Sequence, residues 1–433
     1  MTALVFALGV VLFVLGVAVS IALHELGHMY PAKKFGVKVT QFFVGFGTTL
    51  WSFRRGETEY GLKSIPLGGY VRLVGMLPPE KDTDPHEVRR SNTGLFTQLA
   101  ADARQAEYEH VTDEDLPRLF YRLPWWKKVI VMGGGPMMNV VIAVVLLSIV
   151  ILGIGTAQPT TTVAAVSDCA IPASSGAQRA CTADDPVAPA KAAGLEPGDV
   201  ITTFDGREVA SWDDLSRTIR ANGDREVELG FVRDGQERTV DVRPSVLARA
   251  DLDDPDTTVQ VGFLGVSPGS AVQRGDVGDV ASQLGTYVTG TAEAIVHLPV
   301  RMIDVTKAAF GGERDPEGPI GVVGASRLSG ELVTYDDPTW SERAARLLTL
   351  LAGLNMFLAL FNLVPLLPFD GGHIAGALWE ALRRGWARLR RRPDPGYVDV
   401  ARALPVSYAV GGLLVVMSVI LLYVDIVNPV RLT

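Results

Sequence analysis

The chain has 433 residues, 48% hydrophobic and 20% charged, with a mean hydropathy of +0.23. That is too apolar for one soluble globule and too charged for a bundle wholly inside a membrane, so a membrane part and a soluble part are expected. The formal net charge of −8 leaves no basic footprint for nucleic acid, and no such partner is expected.

Apolar runs long enough to span a bilayer lie at about 2–30, 128–157, 346–381 and 403–424. The first segment, 1–36, carries no charge from Met1 to Leu23 and then reads His24, Glu25, Leu26, Gly27, His28. It lacks a basic start and a cleavage site, so it is read as a retained helix rather than a signal peptide. Ionisable groups are costly in hydrocarbon and mark function when they occur there. On a helix His24 and His28 share one face a turn apart, the spacing with which two imidazoles hold one Zn²⁺. Glu25 stands beside them as the candidate catalytic base of a hydrolytic zinc site.

Segment 37–77 has short alternating β-type runs punctuated by Gly45, Gly47, Gly56, Pro66, Gly68 and Gly69, which predict hairpins. A sheet there offers an edge to an extended substrate, with Gly45 and Gly47 as candidate substrate-binding positions. On pattern alone an ordinary loop is the alternative. Segment 78–124 is a polar insertion expected to form one or two surface helices, with His86 and His110 read as solvated. The second span, 125–158, starts with Trp125, Trp126, Lys127 and Lys128 at the expected interface and contains Gly133, Gly134, Gly135, Pro136 and Asn139. Asn139 admits a functional and a packing reading, and packing is favoured. The polar stretch beyond it holds the only two cysteines, Cys169 and Cys181, either unrelated thiols or a disulfide if the segment is extracytoplasmic.

Two histidines leave a catalytic zinc short of the usual three protein ligands. The third span, 345–382, supplies Asp370, the only acid between Glu342 and Glu380. Counted along a helix from Leu347 it lies about 35 Å in, level with His24 and His28 near the far face. Pro365 and Pro368 break that helix, and irregular backbone at such depth is tolerated where it lines a cavity or is buried in protein. His373 is the rival ligand, and His297 falls in the segment 247–344 and is read as unrelated. Asn355 and Asn362 are seven residues apart on one face, either substrate-binding or bonding between helices. Segment 383–402 is basic, and 403–433 carries the fourth span and tail.

Lys33, Lys34 and Lys38, then Lys127 and Lys128, then Arg383, Arg384, Arg388 and Arg390 to Arg392 all fall on one side if the chain begins outside and crosses four times. Both termini and the long middle are then extracytoplasmic, and the zinc pair lies toward the cytoplasmic face.

With these residues assembled, the chain resembles the site-2 protease family of intramembrane zinc metalloproteases, close to the bacterial regulator-of-sigma-E protease branch and its longer actinobacterial members. The resemblance rests on His24 to His28, Ile65 to Tyr70, Gly135 and Pro136 with Asn139, and Asn362 to Gly372. It implies Zn²⁺ on His24, His28 and Asp370, Glu25 as the catalytic glutamate, and a β-hairpin after the first span. Residues 189–201, with the Asp205-Gly206 and Asp234-Gly235 turns, look like part of a PDZ domain over 159–246. The implied fold is a multi-domain polytopic membrane protein with about four transmembrane α-helices, a membrane-associated β-hairpin region and an extracytoplasmic α+β PDZ-like domain. The implied setting is the bacterial plasma membrane, among its lipids. The implied substrates are single-span membrane proteins such as anti-sigma factors, trimmed beforehand by a site-1-type protease. The PDZ-like domain then either gates substrates by size or binds their new C-termini. A non-catalytic adaptor and a metal or solute transporter are the other classes; the first needs no His24, Glu25, His28 and Asp370 set, and the second no peptide-binding domain.

Overall fold

The structure, a computed structural model, describes residues 2–79, 95–109, 111–172, 180–252, 257–316, 318–335 and 338–430, so His86 and His110 lie outside the described residues. It divides into one unit of residues 1–154 and 275–433 and a second of residues 155–274.

The first unit opens with α1 (Thr2–Lys34), an apolar helix ending on Lys33 and Lys34, where cations suit the helix C-terminus. Two long strands follow, β1 (Val39–Arg55) and β2 (Thr58–Leu73), and each bends back on itself. Phe42 pairs with both Val71 and Tyr60, and Tyr60 pairs with both Phe42 and Phe53. Four passes result, in the order 69–73, 39–44, 58–63 and 49–55. Gly45 and Gly47 make the bend in β1, with φ of +92° and +89°, conformations open to glycine at no steric cost. The outer pass exposes Leu50, Trp51 and Phe53. Next comes α2 (Leu95–Tyr108), whose Tyr108 hydroxyl donates to the Leu77 carbonyl at 2.8 Å and whose Glu107 carboxylate accepts from the Met76 and Leu77 N–H groups. Helix α3 (Trp125–Ser148) runs on through a π-helical turn to Ile154.

The second unit contains β3 (Thr156–Val166), α4 (Pro189–Ala192), β4 (Val200–Phe204), β5 (Arg207–Glu208), α5 (Trp212–Ala221), β6 (Val227–Arg233), β7 (Gln236–Val242), β8 (Ser245–Ala250), β9 (Thr258–Phe263) and β10 (Val266–Gln273). The main sheet has the order β10-β3-β4-β6-β7, with β5 on β4, and β8 pairs β9. Its core includes Ile201, Phe204, Leu215, Leu229 and Leu264, and Ser211 caps α5 by accepting from the Asp214 N–H at 3.2 Å. The buried Asp199 carboxylate takes two bonds of 2.7 Å from Arg233. Cys169 and Cys181 form a disulfide with Cα atoms 6.0 Å apart. The unit extends past residue 246, where the sequence suggests it ends, because β10 pairs along β3 from Val266↔Val166 to Gln273↔Thr156.

Back in the first unit are α6 (Val277–Ala309), α7 (Val322–Leu332), α8 (Trp340–Asn362), α9 (Asp370–Leu389) and α10 (Leu404–Val427). Among the described residues, four helical stretches are long and apolar enough to cross a membrane: Thr2–Lys34, Trp125–Ile154, Trp340–Asn362 and Val400–Val427. The third ends at Asn362, not near 381 as its apolar run suggests. Pro365 and Pro368 cannot supply the N–H groups a continuing helix needs, and Asp370 opens a separate helix instead. Around α1 the packing is close. A Cβ on either Gly27 or Gly134 would overlap the carbonyl of the other, so these glycines let α1 and α3 touch backbone to backbone.

Candidate metal centre

The centre is built on the last turns of α1. His28 is 5% exposed, and its Nδ1–H donates to the backbone carbonyl of Val131 on α3 at 2.8 Å. That bond leaves the Nε2 lone pair of His28 directed at its neighbours. His24 Nε2 lies 3.2 Å away. Asp370 Oδ2 completes a triangle, 3.4 Å from His24 Nε2 and 3.3 Å from His28 Nε2.

Three routes bring these atoms together. Helical periodicity aligns the two histidines. Glycine brings α3 against them: a Cβ on Gly135 would overlap His28 Nε2 and stand 2.7 Å from His24 Nε2. The third route is the bend between α8 and α9. There Phe369 packs edge-on against Phe361 with ring centres 4.7 Å apart, and turn bonds run from Phe369 N–H to Leu366 O and from Gly372 N–H to Phe369 O, both at 3.0 Å. Gly371 sits against the Leu363 and Val364 carbonyls with no room for a side chain. Asp370 therefore enters as the first residue of a helix that starts at the centre.

The donors fit a zinc ion. Ligand atoms about 2.0 Å from a tetrahedral zinc stand about 3.3 Å from one another, and the three edges measured here are 3.2, 3.3 and 3.4 Å. Asp370 Oδ2 is buried with no hydrogen-bond partner. His28 holds its proton on Nδ1, so its Nε2 and Asp370 Oδ2 face each other at 3.3 Å as two acceptors. A cation answers this arrangement, and two imidazoles with a carboxylate suit zinc. Among the described residues this is the one group of three such side chains with converging ligand atoms; His373 does not join it.

Glu25 is the next residue on α1. Its Cγ stands 3.1 Å from where a Gly69 Cβ would lie. The edge pass 69–73 thus runs alongside Glu25. The Asn355 amide is fully buried and donates to Ser20 Oγ at 3.0 Å and to the Leu351 carbonyl at 2.8 Å. Its donors are committed to helix packing rather than facing a ligand. Asn362 is the last residue of α8 and is half-buried. Two contributors were missed from sequence: the Val131 carbonyl and the Gly135 clearance. Only the run of glycines before Pro136 signalled either of them.

Comparison with known proteins fits this chemistry. The model of peptidase family M50 matches residues 12–392. The chain belongs to peptidase family M50. It is 35% identical over 441 residues to zinc metalloprotease Rip1 of Mycobacterium tuberculosis, covering 99% of this chain and 100% of that protein. Rip1 of Mycolicibacterium smegmatis is 35% identical over 456 residues, at 99% and 100% coverage. Metalloprotease MmpA of Caulobacter vibrioides is 27% identical over 391 residues, at 86% of each chain. This M50 chain is a zinc metalloprotease of the site-2 protease type with four apolar helices suited to a membrane.

Proposed function

We propose that this M50 protease hydrolyses peptide bonds within or near the transmembrane segment of single-span membrane proteins, with zinc on His24, His28 and Asp370. The observation carrying the reading is the triangle of His24 Nε2, His28 Nε2 and Asp370 Oδ2, 3.2 to 3.4 Å apart, two of them on a helix apolar enough to span. Bound there, zinc supplies the Lewis acidity that acidifies water and polarises a carbonyl. Glu25 takes the proton of the attacking water and returns it to the leaving amine. Val131 holds the His28 ring in the tautomer that leaves Nε2 free.

A helical substrate hides its carbonyls in its own hydrogen bonds and must unwind first. In this reading the unwound strand adds to the sheet edge at 69–73, which compensates those bonds and brings its backbone to Glu25. Asn362, Gly45 and Gly47 contact the same strand. The basic clusters at the end of α1, in the first turn of α3 and from α9 into the following loop support a centre toward the cytoplasm, and the Cys169–Cys181 disulfide favours an oxidising compartment for the second unit. That unit acts as a PDZ-like size gate, so substrates, anti-sigma factors among them, must be trimmed outside first.

Zinc content and cleavage of a single-span test substrate, compared between wild type and Glu25→Gln, test the reading. One zinc per chain in both proteins is expected, with cleavage reduced about 10²- to 10⁴-fold in the variant. Unchanged cleavage by Glu25→Gln sinks the mechanism.

A further inference from the structure

Helix α3 donates no ligand, yet one of its faces runs along the metal centre. Lys128, Val131 and Gly135 fall at i, i+3 and i+7, hence on one side. Val131 holds His28 and Gly135 makes room for both imidazoles. Lys128 faces the other helix of the site. It is 6% exposed, and its ammonium lies 2.7 Å from Oε2 of Glu380, which is 2% exposed on α9. The second carboxylate oxygen of Glu380 is 3.2 Å from Arg384 Nη2. The Tyr397 ring stands against both cations, 5.1 Å from Lys128 and 5.0 Å from Arg384, with Tyr121 edge-on at 4.9 Å.

Helix α9 begins at Asp370, and Glu380 lies ten residues along it, about 15 Å away. The chain before Asp370, residues 363–369, is non-helical, so α8 does not set the axial position of α9 through continuous helix. Ile374 packs on the cluster that holds Val131 and Met132 of α3, and Ala377 is buried; apolar contacts tolerate sliding better than an ion pair does. A buried ion pair adds little net stability over apolar residues of similar volume, because desolvation offsets the attraction. What it adds is register. Slipping α9 by one turn along α3, about 5.4 Å, would separate Glu380 from Lys128 and Asp370 from the histidines together.

The geometry points to Lys128 and Glu380 as positioning residues that fix the register of α9 on α3 and so hold the Asp370 carboxylate at the imidazole pair. This rests on the zinc reading above.

The test uses the full-length protein in micelles and measures zinc loss to an excess of chelator, with the Co²⁺ absorption spectrum as a second view of the ligand geometry. Lys128→Met and Glu380→Gln are expected to lose zinc at least about ten-fold faster, as supporting residues of metal sites do, and to alter the Co²⁺ bands. Lys128→Arg, which keeps the charge, is expected to recover most of the retention. Arg104→Ala removes a different ion pair, Arg104–Asp399 at 2.6 Å, and is expected to retain zinc like wild type whatever its melting temperature. Wild-type retention in Lys128→Met overturns the proposal, as does an equal zinc loss in Arg104→Ala. If Lys128→Met does not fold, Glu380→Gln, which keeps the side-chain shape, decides by the same comparison. A wild-type protein that holds no zinc would overturn the zinc reading itself, a result distinct from unchanged retention in the variants.

Discussion

The Val131 carbonyl on α3 accepts the Nδ1–H of His28 on α1 at 2.8 Å, and one turn further along α3 Gly135 faces the Nε2 atoms of both histidines. The same helix therefore orients one ligand and leaves space for the ion. Clearance is the weaker tolerance, since an added methyl at Gly135 overlaps His28 Nε2. Gly135→Ala is expected to lower zinc affinity at least about ten-fold and to abolish proteolysis with little change in helix content. Zinc titration and circular dichroism check this. Full zinc binding by the variant would show that the imidazoles have room the distances do not indicate.

Glu107 supplies a pH dependence remote from the metal. Burial pushes its carboxyl up to about 7 from 4.5, against the opposing hydrogen bonds from the Met76, Leu77 and Gly75 N–H groups and the nearby Arg72 charge. A carboxyl raised in the folded state favours folding fully below 4.5, and the contribution disappears as pH rises through about 7. At 1.36 kcal/mol per pH unit the displacement amounts to about 3 kcal/mol. Protection of the Met76 and Leu77 amides, corrected for intrinsic exchange, is expected to fall about 100-fold from pH 5 to pH 8. Glu107→Gln should flatten that dependence. Equal protection at both pH values in wild type would show that the carboxyl stays ionised.

The local chemistry of the site was legible in the sequence because it is periodic or singular. His24 and His28 are one turn apart on an uncharged run, and Asp370 is the lone acid of its stretch. What stayed hidden depends on contacts between distant segments. Lys128 reads as one of the basic residues flanking a span, but it is buried against Glu380, 252 residues away in sequence. Pro365 and Pro368 mark the break past Asn362, but that Asp370 opens a separate helix, α9, has no local signature. The four-pass sheet was half legible: glycines and prolines marked its turns, whereas the double pairing of Phe42 and Tyr60 has no local signature. Asn355 and Asn362 share a helix face in sequence, and the bond of Asn355 to Ser20 on another helix has no local signature.

The Cys169–Cys181 bridge closes a loop of 12 residues' separation in the second unit. Loop-closure entropy for that length amounts to about 3 kcal/mol. Cys169→Ser with Cys181→Ser is expected to lower the melting temperature of this unit while leaving zinc content at the wild-type level. Thiol labelling in intact cells should modify these cysteines only after a reductant is added. Labelling without reductant would place the segment in a reducing compartment and overturn the proposed orientation.

Asn355 allows packing and substrate binding to be told apart by magnitude. Its amide donates to Ser20 Oγ at 3.0 Å between α8 and α1, one turn before His24. Side-chain hydrogen bonds between membrane helices average about 0.6 kcal/mol, so Asn355→Leu, which keeps the number and branching of side-chain heavy atoms, is expected to change stability by less than about 1 kcal/mol. Its kcat/KM should stay within about five-fold of wild type, because 1 kcal/mol corresponds to about that factor. A residue that bonds the substrate backbone in the transition state would instead lose about 10²-fold or more when its donor is removed. Asn362→Leu, at the end of α8 beside the bend, is expected to show that larger loss. Measuring both variants on the same single-span substrate decides the matter: a large loss for Asn355 with none for Asn362 would reverse the assignment.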